Sequence, residues 1–296
     1  MSISIRSCGR THCPPGEVVA DCRVRQTQLP AVPSTLLIPL AARAHGARLF
    51  PWLDCQDHDA RHLLDCLQTD WRPMLQDRVA VLNVLWRTRL IKGWAGAFFQ
   101  RHPEATGVAL GCGLSHYFQW LDVGTNRWID ADLPEVCQLR HTLLPPAWER
   151  RLNAAVDLTR PGWWEALSLS RLDDGQPLFL VCEGVLMYLS PPRVRAILAE
   201  FADRAPAGSV LALDVISHVG VGQARHSLSV GRTGAEFHWG LHQIDELLHI
   251  HPRLRIAESR SVSECYGWMG WAAETLCLPW TGAPLYALVA LTVGPR

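Results

Sequence analysis

Gly107–Asp132, GVALGCGLSHYFQWLDVGTNRWIDAD, is the stretch whose reading decides how this chain folds. It holds two short apolar runs: GVALGCG, which ends in glycines, and RWIDAD, which ends in acids. Runs this short, bounded by turn residues, read as buried strands rather than helices. Downstream the pattern repeats in LNAAVD (152–157), PLFLVCE (177–183) and SVLALDVI (209–216). Between these runs lie helical segments at Leu133–Leu144, with Pro134 near its first turn, at Trp163–Leu169 and at Pro192–Ala205. Strands alternating with helices predict an α/β fold with a mostly parallel sheet wound on both faces.

The flanks follow a different pattern. Upstream, helical spacing runs from Pro33 through Phe50, over Asp57–Leu67 and over Val79–Phe99, giving a helical cap. Downstream, a helix is expected at Leu241–His249, a strand at Leu254–Val262 and a closing strand at Pro284–Val293. The glycine-rich Gly220–Gly234 reads as a loop able to cover a ligand. The expected organisation is a flexible tail at 1–28 and a single domain at 29–296, divided into a cap (29–103) and an α/β core (104–296). Cys8, His12, Cys13 and Cys22 in the tail do not have paired zinc-ligand spacing, so no metal is expected.

Composition narrows the function. Hydrophobic residues make up 48% and charged residues 19%, which excludes disorder over most of the chain. The 28 basic and 28 acidic residues cancel, so no nucleic-acid partner is expected. No apolar run reaches the roughly 18–20 residues that span a bilayer, so no membrane partner is expected either. The N-terminus lacks an apolar signal core, and most cysteines lie in apolar stretches, a pattern that suits reduced thiols in the cytoplasm.

In a doubly wound sheet, ligands bind beyond the carboxyl ends of the strands. Gly111 and Gly113 follow the first strand and permit a sharp turn with close ligand approach. The dinucleotide fingerprint needs a third glycine where His116 stands, which disfavours a nicotinamide cofactor and an oxidoreductase. Asp132 lies 19 residues beyond Gly113, where an acid accepts ribose hydroxyls; alternatively it caps the helix at Pro134. After the third strand, Asp157 can receive an adenine amine while Leu158 covers the ring, or AVDL is a plain cap. Glu183, set among Val181, Cys182, Val185 and Leu186, requires a partner, because an unpaired buried carboxylate is costly. A cationic amine would serve.

Three segments carry a resemblance: VALGCGL (108–114), IDADLPEVCQLRHTLLP (129–145) and LVCEGVLMYLSPPRVRAIL (180–198). They are similar to the leucine carboxyl methyltransferase family, most closely its bacterial, tetracenomycin-type branch of polyketide-biosynthesis O-methyltransferases. The resemblance implies a Rossmann-like, class I methyltransferase fold with a seven-stranded sheet and S-adenosylmethionine (SAM) as cofactor. It implies that Gly111 and Gly113 face the methionine part of SAM, that Asp132 holds the ribose, and that Asp157 and Leu158 frame the adenine. Glu183 would meet the amino group and Arg87 the carboxylate, a pairing suited to a guanidinium fork. Two positions depart from the family pattern: Ser115-His116 after the glycine turn, and Lys92 after the arginine.

The acceptor expected from this resemblance is a small polyketide-like or aromatic molecule methylated on oxygen; a carboxylate is the simplest acceptor, since that group needs no base. Tyr188, His238, Trp239 and His242 are the candidate acceptor-side residues, and no catalytic base is named; Trp268 and Trp271 are further candidates for stacking walls. Alternatives are a protein C-terminal carboxyl methyltransferase, and a SAM binder with altered or lost methyl transfer.

Overall fold

The computed structural model describes residues 34–67, 70–144, 149–172 and 175–295. The expected tail at 1–28 lies outside them. The cap comprises α1 (Leu37–His45), α2 (His58–Leu67) and α3 (Arg78–Arg101). Asp77 caps α3, its side chain accepting the Ala80 N–H at 3.0 Å. The apolar stripe of α3, including Leu85, Trp86, Phe98 and Phe99, is buried in one cluster with Trp128 and Phe179 of the sheet. The cap is thus fixed to the core through aromatic packing.

The core begins with β1 (Thr106–Leu110), followed by α4 (Phe118–Leu121), β2 (Arg127–Asp132) and α5 (Pro134–Leu143). Next come β3 (Arg151–Ala155), α6 (Trp163–Ala166), β4 (Phe179–Cys182), α7 (Pro191–Arg204) and β5 (Val210–Ile216). The chain ends with β6 (Leu254–Ser261), α8 (Gly267–Thr281) and β7 (Tyr286–Val293). The seven strands stand in the order β3-β2-β1-β4-β5-β7-β6. The first five are parallel, and β7 is antiparallel to both β5 and β6. This is the expected mostly parallel seven-stranded sheet. The order reverses between β1 and β4, the crevice where open α/β sheets receive ligands.

Three local expectations change. The helix expected at Leu241–His249 is a 3₁₀ helix at Ile244–His249, started by a capping box between Gln243 and Glu246. The helix expected at Trp163–Leu169 stops at Ala166, and Ser168 adopts a left-handed conformation before a short 3₁₀ turn. The helix α8 has no counterpart in the sequence reading. It is apolar on every side and contains Gly270 and Pro279, so no amphipathic period marks it.

One described cysteine departs from the expected reduced state. Cys55, Cys112, Cys137, Cys182, Cys265 and Cys277 are free thiols, and Cys66 is disulfide-bonded.

Candidate active site

A cavity of about 780 Å³ opens at the β1/β4 crevice. Gly111 and Gly113 form its floor with φ of +66° and +52°, the left-handed region that favours glycine. At Gly111 the lack of a Cβ is also steric, since that atom would lie 2.4 Å from Val185 Cγ2. Arg140 of α5 braces this turn from behind. Its Nη1 donates to the carbonyls of Gly113 at 2.7 Å and Ser115 at 2.6 Å, while Nη2 meets Asp130 Oδ2 at 2.5 Å. All of these groups are buried, so the bracing is not weakened by solvent.

Glu183 follows β4 and lines the cavity. Its carboxylate accepts the Tyr117 hydroxyl at 2.8 Å and the Ser115 hydroxyl at 3.3 Å. Arg87 reaches the same place from α3. Its Nε stands 3.3 Å from Glu183 Oε2, an ion pair without hydrogen-bond alignment. Its Nη1 donates to Asp214 Oδ2 and to the Tyr286 hydroxyl, both at 3.0 Å. Tyr286 in turn donates to the same Asp214 oxygen at 2.7 Å, and the Gly184 N–H donates to Oδ1 at 2.8 Å. Burial opposes the charge of Arg87, but Tyr286, Glu183 and Asp214 outweigh it and hold the pKa well above the ordinary value. Burial, with Glu183 alongside, pushes Tyr117 well up; burial likewise pushes up Tyr286, so both phenols are neutral.

Asp132 stands at the end of β2, beside the turn rather than on the cavity wall. One oxygen accepts the Gly113 N–H and the other the Leu133 N–H, each at 2.7 Å. Burial nevertheless raises its pKa. Asp157 accepts the Thr159 N–H at 2.8 Å and the Thr159 hydroxyl at 2.6 Å, and Leu158 is packed in the main core cluster. Neither lines this cavity. Tyr188 does, with its ring 5.4 Å from that of Phe237, and burial pushes its phenol up to about 12.

The remaining acceptor-side candidates lie elsewhere. His238, Trp239 and His242 line a separate cavity of about 990 Å³ between α7 and the 238–250 segment. The reason is backbone pairing: the N–H groups of His238 and Trp239 both bond to Met187 O, turning Phe237 inward instead. Trp268 and Trp271 are exposed on α8 and line neither cavity. The loop expected to cover a ligand does line the main cavity, through Gln223, His226, Ser227, Leu228 and Val230.

The two departures from the family pattern are engaged within the protein. His116 Nδ1 meets Asp59 Oδ2 at 2.5 Å, and its Nε2 meets Arg151 Nη1 at 2.8 Å, so it links cap to core. Lys92 donates to the Cys55 carbonyl at 3.0 Å and sits 4.2 Å over the Trp120 ring, away from the cavity. Among the described residues, no cluster of His, Cys, Asp or Glu is placed to hold a metal.

Asp214 and Tyr286 escaped the sequence reading. An acid inside the apolar run SVLALDVI is the same signal that marks Glu183, and it was there to be used for Asp214. Tyr286 carries no such mark, because its role depends on β7 pairing beside β5.

A family model described as leucine carboxyl methyltransferase matches residues 17–202. The chain is 31% identical over 236 residues to the tetracenomycin polyketide synthesis O-methyltransferase TcmP of Streptomyces glaucescens, covering 79% of this chain and 84% of that one. A DUF574 family protein from Streptomyces avermitilis MA-4680 superposes with a TM-score of 0.51 at 15% identity, over 86% of this chain and 98% of that one. A crystal structure described as a putative methyltransferase from Thermobifida fusca YX gives 0.51 at 15% identity, over 88% and 94%. At that identity the two structures speak for the fold alone.

Proposed function

Since the chain belongs to the leucine carboxyl methyltransferase family and is thus a SAM-dependent methyltransferase, we propose that it methylates an oxygen of a small, flat, apolar molecule. In this reading the acceptor oxygen is that of a carboxylate, and the polyketide-like or aromatic scaffold follows from the similarity to a polyketide synthesis O-methyltransferase. The observation that carries this reading is the convergence of Glu183 and Arg87 on a cavity whose other walls are largely apolar, among them Ile38, Val84, Met187, Ile216 and Phe237.

The donor set fits the cofactor. The turn at Gly111 and Gly113 brings main chain to the cavity wall in the left-handed conformation that favours glycine. Glu183 supplies a carboxylate for the cofactor's ammonium. Arg87 still has Nη2, which no hydrogen bond among the described residues uses, for the cofactor's carboxylate. Each oxygen of Asp132 accepts one N–H and keeps a lone pair for a ribose hydroxyl. In this reading Asp157 and Leu158, at the neighbouring strand end, border the adenine.

When bound, the cofactor supplies a methyl group already activated by its sulfonium. The protein's contribution is then alignment, which is worth up to about 7–11 kcal/mol when reacting atoms are held in line. A carboxylate acceptor is ionised at neutral pH, so no side chain has to remove its proton. Tyr188, neutral because burial raises its pKa to about 12, offers a hydroxyl to orient the acceptor. The loop residues 223–230 and Phe237 close over the apolar body and exclude water.

His226 on the cavity wall favours a second reading, a phenol acceptor with this imidazole as base. Substitution separates the two: a carboxylate acceptor needs no base, so His226→Gln should leave the turnover rate nearly unchanged, whereas a phenol acceptor served by this imidazole should lose about 100-fold or more. The cofactor site is tested by calorimetry with SAM. We expect micromolar binding by the wild type and its loss in Asp132→Ala and Glu183→Ala; full-strength binding by both variants would refute the site.

A further inference from the structure

We propose that α8 is the two-fold interface of a homodimer, its occupant being the same helix of a second copy of this chain. The helix GWMGWAAETLCLPWT has no buried residue. Trp268 and Trp280 are each 78% exposed, and Trp271, Met269 and Leu276 are more than 60% exposed. An element that is apolar on all sides belongs in a core or an interface, since the hydrophobic effect strongly disfavours it in water. These five side chains present on the order of 800 Å² of apolar surface, at roughly 100–200 Å² for each large side chain. That exceeds the roughly 300–600 Å² of the largest patch on a typical monomer and equals the roughly 800 Å² that each partner contributes to a stable complex.

The chemistry of the face selects the occupant. Glu274 is the only charged residue in α8, and its carboxylate is taken up internally by the Ser261 hydroxyl. Glu274 lies at the wall of the groove beside the helix, whereas the protruding side chains Trp268, Met269, Trp271, Leu276 and Trp280 carry no charge, so two identical copies can bring those side chains together without like charges meeting among them, as a self-complementary patch requires. A lipid surface is less suited, because helices that lie on membranes carry lysine and arginine on their polar side and α8 has neither. The face also holds both shapes that a two-fold contact needs. The tryptophans protrude, and a groove of about 390 Å³ runs beside Met269, Gly270, Ala273, Cys277 and Leu285. Tyr266 and Leu285 line this groove and the main cavity alike, so the second copy would sit at the cavity's rim.

The test is the solution mass of the full chain by light scattering coupled to gel filtration, for the wild type and for Trp268→Glu/Trp280→Glu. The wild type is expected at twice the 33.0 kDa chain mass. The double variant is expected at the single mass, its dissociation constant raised on the order of 100-fold or more, as for charged substitutions at an interface hot spot. Both side chains are exposed in the single chain, so the variant should keep the wild-type circular dichroism; Leu276→Arg provides a second, independent disruption. A monomeric wild type, or a dimer that persists in both variants, overturns the proposal. Flotation with phosphatidylglycerol vesicles adds one more outcome: a monomeric wild type that co-floats would assign the face to lipid and overturn the dimer.

Discussion

Arg87 Nη1 and Asp214 Oδ2 meet at 3.0 Å inside the protein, although 127 residues separate them in the chain. Asp214 is completely buried and also holds Tyr286 and the Gly184 N–H. It is therefore the keystone between α3, β5, β7 and the turn after β4. Removing one partner of a buried pair leaves the other charge uncompensated, at a cost of about 3–5 kcal/mol. Asp214→Ala is expected to lose stability of that size in urea unfolding. Asp214→Asn, which keeps an acceptor, should lose clearly less. Equal losses would show that the charge of Asp214 contributes little.

The glycine turn makes a second, separable prediction. Gly111 and Gly124 both have positive φ, but only at Gly111 would a Cβ meet a neighbour, Val185 at 2.4 Å. Gly124→Ala should cost about 1–2 kcal/mol from backbone strain alone. Gly111→Ala should cost a further 1–3 kcal/mol or so from overlap, and should also impair SAM binding. Equal losses in thermal or urea unfolding would remove the steric argument.

Arg140 and Asp130 should behave as one unit. Arg140 holds the Gly113 and Ser115 carbonyls and meets Asp130 at 2.5 Å, with both side chains buried. Arg140→Lys cannot span three acceptors with one ammonium, so SAM affinity and stability should both fall. In the double variant with Asp130→Asn the losses should be non-additive, with a coupling of about 0.5–3 kcal/mol. Additive losses would mean that the two act independently.

Asp77 gives a pH dependence. Burial alone would raise its pKa, but the Ala80 and Ser229 N–H groups and the Ser227 and Ser229 hydroxyls outweigh that and hold it below the ordinary value. The sign follows from linkage. A carboxyl whose folded pKa is depressed adds stability that is fully present above its unfolded pKa, about 3.9, and that is lost as pH falls through the folded value. The stability gap between wild type and Asp77→Asn should hence be constant near neutrality and shrink below about pH 4. Because Asp77 joins α3 to the 227–229 loop, the variant should also loosen that loop, seen as faster amide exchange at Ser229. A gap that widens on acidification would reverse the assigned sign.

The strands and the glycine turn were legible because their signals are local. RWIDAD and SVLALDVI occupy their strands to within one residue, and GVALGCG supplies β1 through Leu110 and then the glycine turn. Gly111, Gly113 and Glu183 were legible because strand ends in a wound sheet meet at one edge, and all three line the cavity. His238 and His242 were placed by nearness in sequence to the glycine-rich loop, a signal that does not say which way a loop turns. Helix α8 was invisible because periodicity detects a boundary between core and water, and this helix has no polar side to contrast with its apolar one.

By itself, then, the sequence determined the alternation of elements, the sheet they build and the acids and glycines standing at its carboxyl edge, since each depends on neighbours a few residues away. Only the tertiary structure decided that Asp214 and Tyr286 hold Arg87, that Phe237 rather than His238 faces the cavity, and that the tryptophans of α8 remain outside. Those outcomes depend on which side chains come to share one volume, and that is settled by packing between segments remote in the chain.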